Sequence, residues 1–270
     1  MGLKSQSTFL EPTDLIDSAH PSVQALSSRL VEGSSGPRAA AVAIHDFVRD
    51  QVAFGFPPDF YATRASRTLE LGVGYCNTKS TLFVALLRAV GIPSRIHFVD
   101  LDADLLGGIV DPGTEYVDHS YTEVLLDGRW IAVDSYIVDR PLAEEAQRRM
   151  KKEGRSFAYG FHRDGTTSWD GANDAFGQFV RTTGDHESGA DAPRPFTNRD
   201  YGVHSDVLAF HRDVSTTRNR RGILLRLLRG LAFQSANARA ESLRAARPGE
   251  ADAQGPTIKR RVNDAEPLSS

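Results

Sequence analysis

An α+β fold, in which a helix opening at the chain's single cysteine lies against an antiparallel sheet, is predicted by three stretches of the sequence. In "CNTKSTLFVALLRAVGIP" an apolar run starts at Cys76 and is closed by Gly91 and Pro93, the punctuation of a helix end. "SRIHFVDLD" nearly alternates between apolar and polar residues, as a half-buried strand does. "HSYTEVLLDGRWIAVDSY" places two β-rich runs around Asp127-Gly128, a strong short-range signal of a hairpin.

The remaining elements follow in chain order. Helical spacing of apolar residues predicts helices over Pro21 to Leu30 and Arg38 to Val52, with "SSGP" as the turn between them. "AFGFPPDFYATRAS" is aromatic, carries prolines and has no period, which suits a loop or short strand, and "SRTLELG" reads as one helical turn ending on Gly72. The cysteine helix runs from Cys76 to Val90. After the strand at "SRIHFVDLD" a glycine-bearing loop leads to the hairpin, and a charged helix spans Leu142 to Lys152. An irregular stretch rich in Gly, Asp, Ser and Thr reaches Asp213, a basic amphipathic helix covers 219–245, and a polar tail over 247–270 has the composition of a disordered segment. A structureless stretch of such length is uncommon inside a compact domain, so it covers a site or contains further elements.

The chain has 270 residues, 40% hydrophobic and 25% charged, with a formal charge of -3. It shows no global bias toward nucleic acid or an anionic membrane. A single cysteine excludes an intramolecular disulfide and a thiolate zinc site, leaving free-thiol chemistry or none. The eight histidines form no HExxH pair and no phosphate loop occurs, so no metal and no cofactor is expected. "GILLRLLRGLAF" is interrupted by Arg226 and Arg229 and too short to span a bilayer, and the N-terminal stretch lacks a signal-peptide apolar run; a cytoplasmic protein is expected.

A thiol at a helix start meets the positive end of the helix dipole and unpaired N–H groups, which favour thiolate. The glycines of "GVG" allow a sharp turn and close approach of a substrate. Against this stands the reading of Cys76 as a small buried residue, which free cysteines often are. Hairpin geometry bears on the choice. With a two-residue turn Leu126 faces Arg129, His119 falls opposite Tyr136 and Asp134 opposite Tyr121, so His119 and Asp134 are diagonal neighbours roughly 7–8 Å apart at Cα. An aspartate bonded to one ring nitrogen leaves the other free to take a thiol proton. Val124, Leu126, Ile131 and Val133 form the opposite, core-facing side, while Tyr121, Glu123, Trp130 and Tyr136 share the face of the pair.

"LxxGxGYCxxKxxLFxALLRAxGIPxR" followed by "HSYTEVLLDGRWIAVDSY" resembles the transglutaminase-like superfamily of papain-like thiol enzymes, in particular its bacterial members, over about Val42 to Asp139. The resemblance implies Cys76 as nucleophile, His119 as general base and acid, and Asp134 as the residue that orients it. Asn77 and Thr78 depart from the aromatic or acidic residue that many members carry after the cysteine, and nothing after Pro141 aligns. The expected organisation is a catalytic core over 1–140, an extension over 141–246 that packs on the core and shapes the cleft, and a tail over 247–270. The expected chemistry is acyl transfer on a peptide, amide or thioester, with hydrolysis favoured; an acyltransferase or cyclase and a non-catalytic binding module are the alternatives.

Other residues carry weaker signals. The Cys76 backbone N–H suits an oxyanion donor, with Tyr75 or Asn77 as the second group. Tyr121, Trp130 and Trp169 are candidates to contact substrate. Lys79 reads as a solvated helical lysine, His97 as a structural histidine without a clear carboxylate partner, and the segment around Trp169, Asp170 and Asp174 as either a cleft wall or a surface loop. The leucine-rich 219–245 helix is a candidate oligomer contact.

Overall fold

The computed structural model describes residues 8–179, 196–214 and 223–246; at 198 and 223–230 only the backbone is described. The tail over 247–270 and the first residues of the expected 219–245 helix lie outside the described residues. In chain order the elements are α1 (Pro21–Leu30), α2 (Pro37–Gln51), β1 (Ala53–Phe54), α3 (Ala65–Leu71), β2 (Val73–Gly74), α4 (Cys76–Ala89), β3 (Ser94–Asp102), β4 (Tyr116–Leu126), β5 (Arg129–Val133), α5 (Arg140–Glu153), β6 (Phe157–Ala158), β7 (Phe161–His162), β8 (Thr197–His204), α6 (Val207–Val214) and α7 (Ile223–Ala245). The fold is α+β as expected, helices surrounding an antiparallel sheet of order β5-β4-β3-β8.

α4 lies at the centre. Every residue from Cys76 to Arg88 is buried, because α1, α2 and α3 cover one side and β3 and β4 the other. Leu82, Phe83, Leu86 and Leu87 are fully excluded from solvent, each worth about 1.5–3 kcal/mol of burial. The helix ends as the sequence dictates: the Ile92 N–H returns to Leu87 O, Gly91 has φ +76° and Pro93 follows. Arg88, buried with it, donates to Ser94 O and Glu11 O, tying the helix end to the start of β3.

The hairpin is built on a two-residue turn, Asp127 at φ +51° and Gly128 at φ +77°, with Leu126 opposite Arg129 and Val124 opposite Ile131. Both residues need the left-handed region, which a type I′ turn demands. The ladder stops at Thr122 opposite Val133, three residues earlier than the expected register carried it. The Asp134 N–H goes instead to Ala175 O at 3.0 Å, and Tyr136 swings to the α4 side, its hydroxyl 2.8 Å from Ser80 Oγ and 2.8 Å from Thr122 Oγ1.

The stretch after α5 contains elements that its composition hid. β8 adds an edge strand to β3, with register shifts on either side of Val99, and α6 packs beneath it through Phe210, whose ring stacks 4.2 Å from Phe98. An eight-residue strand reading "TNRDYGVH" has too few apolar residues to show alternation. α7 lies on the core: Asn237 bonds Phe56 through N–H to side chain (2.8 Å) and side chain to carbonyl (3.0 Å), and Arg244 donates to Asp139 at 2.7 Å. Among the described residues no helix is long and apolar enough to cross a membrane.

Candidate active site

Cys76 is the first residue of α4, and the turn before it is fixed by Thr78, whose Oγ1 accepts the Tyr75 N–H at 3.1 Å. Gly74 earns its place by packing: a Cβ there would meet Thr78 Oγ1 at 2.7 Å and Lys79 Cγ at 2.9 Å. The glycine thus lets the chain lie against its own helix start, not against a substrate. Cys76 is 8% exposed, and its Sγ donates to Asn77 Oδ1 at 3.7 Å. Burial and the nearby Asp118 carboxylate push the thiol up, while the backbone N–H groups of Ser120 and Asn77 act the other way. Desolvation thus opposes the thiolate that the helix position favours.

The contact expected between His119 and Asp134 is made, Nε2 to Oδ2 at 3.0 Å. Its construction differs from a pure hairpin register. Having left β5, Asp134 is gripped by the 175–179 segment: Oδ1 accepts the N–H groups of Gly177 (2.5 Å) and Gln178 (3.2 Å), and Oδ2 that of Phe179 (2.8 Å). The segment is itself locked to β5, Ala175 N–H to Ala132 O at 3.0 Å and Ala132 N–H to Asp174 Oδ1 at 2.9 Å. Next to Asp134, Ser135 Oγ lies 2.8 Å from His45 Nε2 of α2. With an ionised carboxylate on Nε2, the imidazole carries its proton there and keeps the Nδ1 lone pair. Among the described residues no hydrogen bond joins the thiol to His119; the two groups border one cavity of about 770 Å³.

Of the candidate contact residues, Tyr75 lines that cavity, its hydroxyl buried without a hydrogen-bond partner. Asn77 is fully buried, its Oδ1 accepting from the thiol at 3.7 Å on one side and its Nδ2 donating to Asp118 Oδ2 at 2.8 Å on the other. Tyr121, Trp130 and Trp169 lie off the cavity. The Tyr121 ring stacks 4.7 Å from His97 and 5.3 Å from Phe179, supporting the loop behind His119. Trp130 packs at the far end of the hairpin, its ring 4.1 Å from the Arg95 guanidinium and 5.1 Å from Phe9. Trp169 sits behind α4, 5.5 Å from His45, its Nε1 donating to Asn173 O at 2.8 Å. Aromatic residues on a mixed face are drawn to cation and ring partners wherever these lie, which register alone does not locate.

Lys79 is not solvated. It is fully buried, donates to Val52 O at 2.6 Å, and desolvation holds its pKa down at about 7 although Asp139 lies near. His97 has carboxylate partners from outside its own strand, Asp200 at 2.6 Å and Glu123 at 3.3 Å. Cavity residues that sequence reasoning missed are Asp100, Asp118, Tyr61, Gln178, His211 and Phe233. Two carried a signal: the alternation that puts Phe98 and Val124 on the core face also puts Asp100 and Asp118 there, and a carboxylate on a core face needs a reason.

Residues 24–135 match the family model of the transglutaminase-like superfamily. Three solved structures are similar at low identity. A candidate cysteine protease from Cytophaga hutchinsonii is 22% identical over 47% of this chain and 40% of that one, with a TM-score of 0.39. A candidate protease from Parabacteroides distasonis is 16% identical over 48% and 26%, at 0.34. The periplasmic domain of TgpA from Pseudomonas aeruginosa, bound to ethylmercury, is 21% identical over 51% of each chain, at 0.36. The chain thus spans about half or less of the length of each, and no curated protein matches it. The segment 24–135, which is what resembles the transglutaminase-like superfamily, holds the helix of Cys76, the strand of His119 and the turn of Asp134.

Proposed function

We propose that the chain is a cysteine-dependent acyl-transfer enzyme in which Cys76 is the nucleophile, His119 the proton carrier and Asp134 its positioning residue, and that it hydrolyses an amide. The observation that carries this reading is the His119–Asp134 bond, 3.0 Å and braced by three backbone N–H groups, at the wall of the cavity that also receives Cys76. Because burial opposes the Cys76 thiolate, activation falls to His119. Nδ1 takes the Sγ proton as sulfur attacks the carbonyl carbon, and the C–S bond forms. The oxyanion meets the Cys76 backbone N–H, an orphan donor of the first helical turn, and the Tyr75 hydroxyl. As the C–N bond breaks, the proton on Nδ1 passes to the departing amine. Water, losing its proton to Nδ1, then cleaves the thioester and restores the thiol.

The cavity also favours a second reading. Its walls are largely aromatic and aliphatic, with Phe56, Phe60 and Phe233 among them, and its volume suits a compact acyl group better than a length of polypeptide. A small thioester or amide passed to an acceptor other than water shares the first half-reaction.

Intact mass after incubation with activated esters, thioesters and short peptides tests the proposal. A mass increase in the wild type, absent in Cys76→Ser, is expected, and its size identifies the acyl group. No adduct, with a folded protein whose thiol also resists iodoacetamide, would overturn it in favour of a binding module.

A further inference from the structure

The cavity beside Cys76 holds negative charge that nothing on its described walls balances. Asp100 and Asp118 are register partners on β3 and β4, so their Cβ atoms lie about 4.5–5.5 Å apart, an arrangement in which like charges repel. Asp111 adds a third carboxylate, and among the described residues lining the cavity there is no lysine or arginine. The hydrogen bonds that reach the pair come from neutral groups: the Tyr61 hydroxyl (3.1 Å) and the Asn77 amide (2.8 Å) to Asp118, and the Tyr201 hydroxyl (2.8 Å) to Asp100. Such donors solvate a carboxylate without cancelling its charge.

Residues lining the same cavity carry unspent polar atoms. Asp100 Oδ1, Gln178 Oε1 and the Tyr75 hydroxyl have no hydrogen-bond partner, although their residues are only 3%, 2% and 5% exposed. His211 Nε2 is a fourth such atom, and burial holds that imidazole's pKa down, keeping it neutral and able to accept. Buried polar atoms in a native fold are nearly always paired, so four in one cavity mark places a ligand fills. Facing them is an aromatic wall: Phe60 stacks on Tyr75 at 4.7 Å, and Phe233 on Phe60 at 4.6 Å.

We propose that this cavity binds substrates through a non-reacting cationic group, an ammonium or guanidinium, seated between the Asp100–Asp118 pair and the Phe60–Tyr75 wall. That the ligand is a substrate rests on the acyl-transfer reading; that it is a cation rests on the cavity alone. An ammonium brings three donors and a guanidinium five, matching the acceptors Asp100 Oδ1, Gln178 Oε1 and His211 Nε2, and either gains from the ring faces. An anion would meet three carboxylates. A divalent metal is the poorer fit, since among the described residues no group of three or more His, Cys, Asp or Glu is placed to hold one.

Calorimetric titration of the full chain with phenethylammonium, 2-phenylethanol, phenylacetate and calcium chloride, at low salt, tests this. Phenethylammonium should bind at least about tenfold more tightly than the isosteric alcohol and slow alkylation of Cys76, phenylacetate should not bind, and the preference should fall in both Asp100→Asn and Asp118→Asn. The wild-type ranking decides the matter even where a variant does not fold. Equal affinity for cation and alcohol, a preference that survives in both folded variants, or tighter binding of calcium than of the ammonium overturns the proposal. Acyl-enzyme formation without cation preference overturns this inference alone, whereas cation preference without acyl-enzyme overturns the acyl-transfer reading alone.

Discussion

Two groups of carboxylates stand on the hairpin and its neighbour strand, and the protein treats them in opposite ways. Asp134 is fully buried and meets three backbone N–H groups and an imidazole nitrogen. Asp100 and Asp118 face each other across two strands, with neutral donors on some of their oxygens and none on Asp100 Oδ1. A charge matched inside the resting protein is part of a fixed tool. One left unmatched beside a cavity is a demand that a ligand can meet. The difference teaches where preorganisation ends and binding begins in this molecule.

The largest effect should come from unsettling the matched carboxylate. Asp134→Asn keeps the shape but sets an amide N–H against the backbone donors of the 177–179 segment and removes the acceptor that keeps the proton on His119 Nε2. Loss of the correct tautomer in such a site lowers acyl-transfer rates by on the order of 10³–10⁴-fold. Single-turnover acylation, with whichever donor labels the wild type, measures it. A fall of less than about tenfold, comparable to one ordinary hydrogen bond, would mean that Asp134 merely supports the loop.

Lys79 sharpens the comparison from the side of positive charge. Its ammonium has three donors and, among the described residues, Val52 O as its hydrogen-bond acceptor; here the protein sheds the charge instead of matching it, holding the pKa at about 7. The unfolded chain keeps that proton up to about pH 10.4, so between these values the unfolded state binds more protons and stability rises with pH. The contribution reaches at most about 5 kcal/mol across that window and is absent below it. Urea midpoints from pH 7 to 10 should climb in the wild type relative to Lys79→Met. Parallel profiles in the two proteins would show that Lys79 stays charged in the fold, its charge carried by Asp139 nearby.

The same distinction explains how far the sequence reveals the molecule. α4 and the Asp127-Gly128 turn are legible because each is set by local rules, helix punctuation and turn chemistry, and strand alternation brings His119 and Asp134 near one another although the ladder ends before either. The grip on Asp134 is not, since it depends on a segment more than forty residues downstream whose glycine-rich composition gives no period. Nor is the burial of Lys79, which follows from α2 and α3 packing on a helix that seen alone has a polar side. Misplacing Tyr121 and Trp130 has the same origin: face assignment says which side a ring leaves from, and tertiary packing decides what it meets. Asp100 and Asp118 were legible as carboxylates on a core face, though the cavity that explains them is walled by α6 and α7 as well.

The smallest effect has the most diagnostic sign. Asp100→Asn removes one of two like charges opposed across β3 and β4, and the amide oxygen can still accept from the Tyr201 hydroxyl. In ligand-free protein the substitution should raise stability by about 0.5–1 kcal/mol, read as a shift in urea midpoint at unchanged slope. Asp134→Asn, which leaves buried N–H groups facing an N–H, should lower it by about 1–3 kcal/mol. Opposite signs from the same chemical change would separate a carboxylate retained for binding from one retained for structure. Equal signs would place Asp100 within the folding framework, and the cavity's charge would then have to be explained by Asp118 alone.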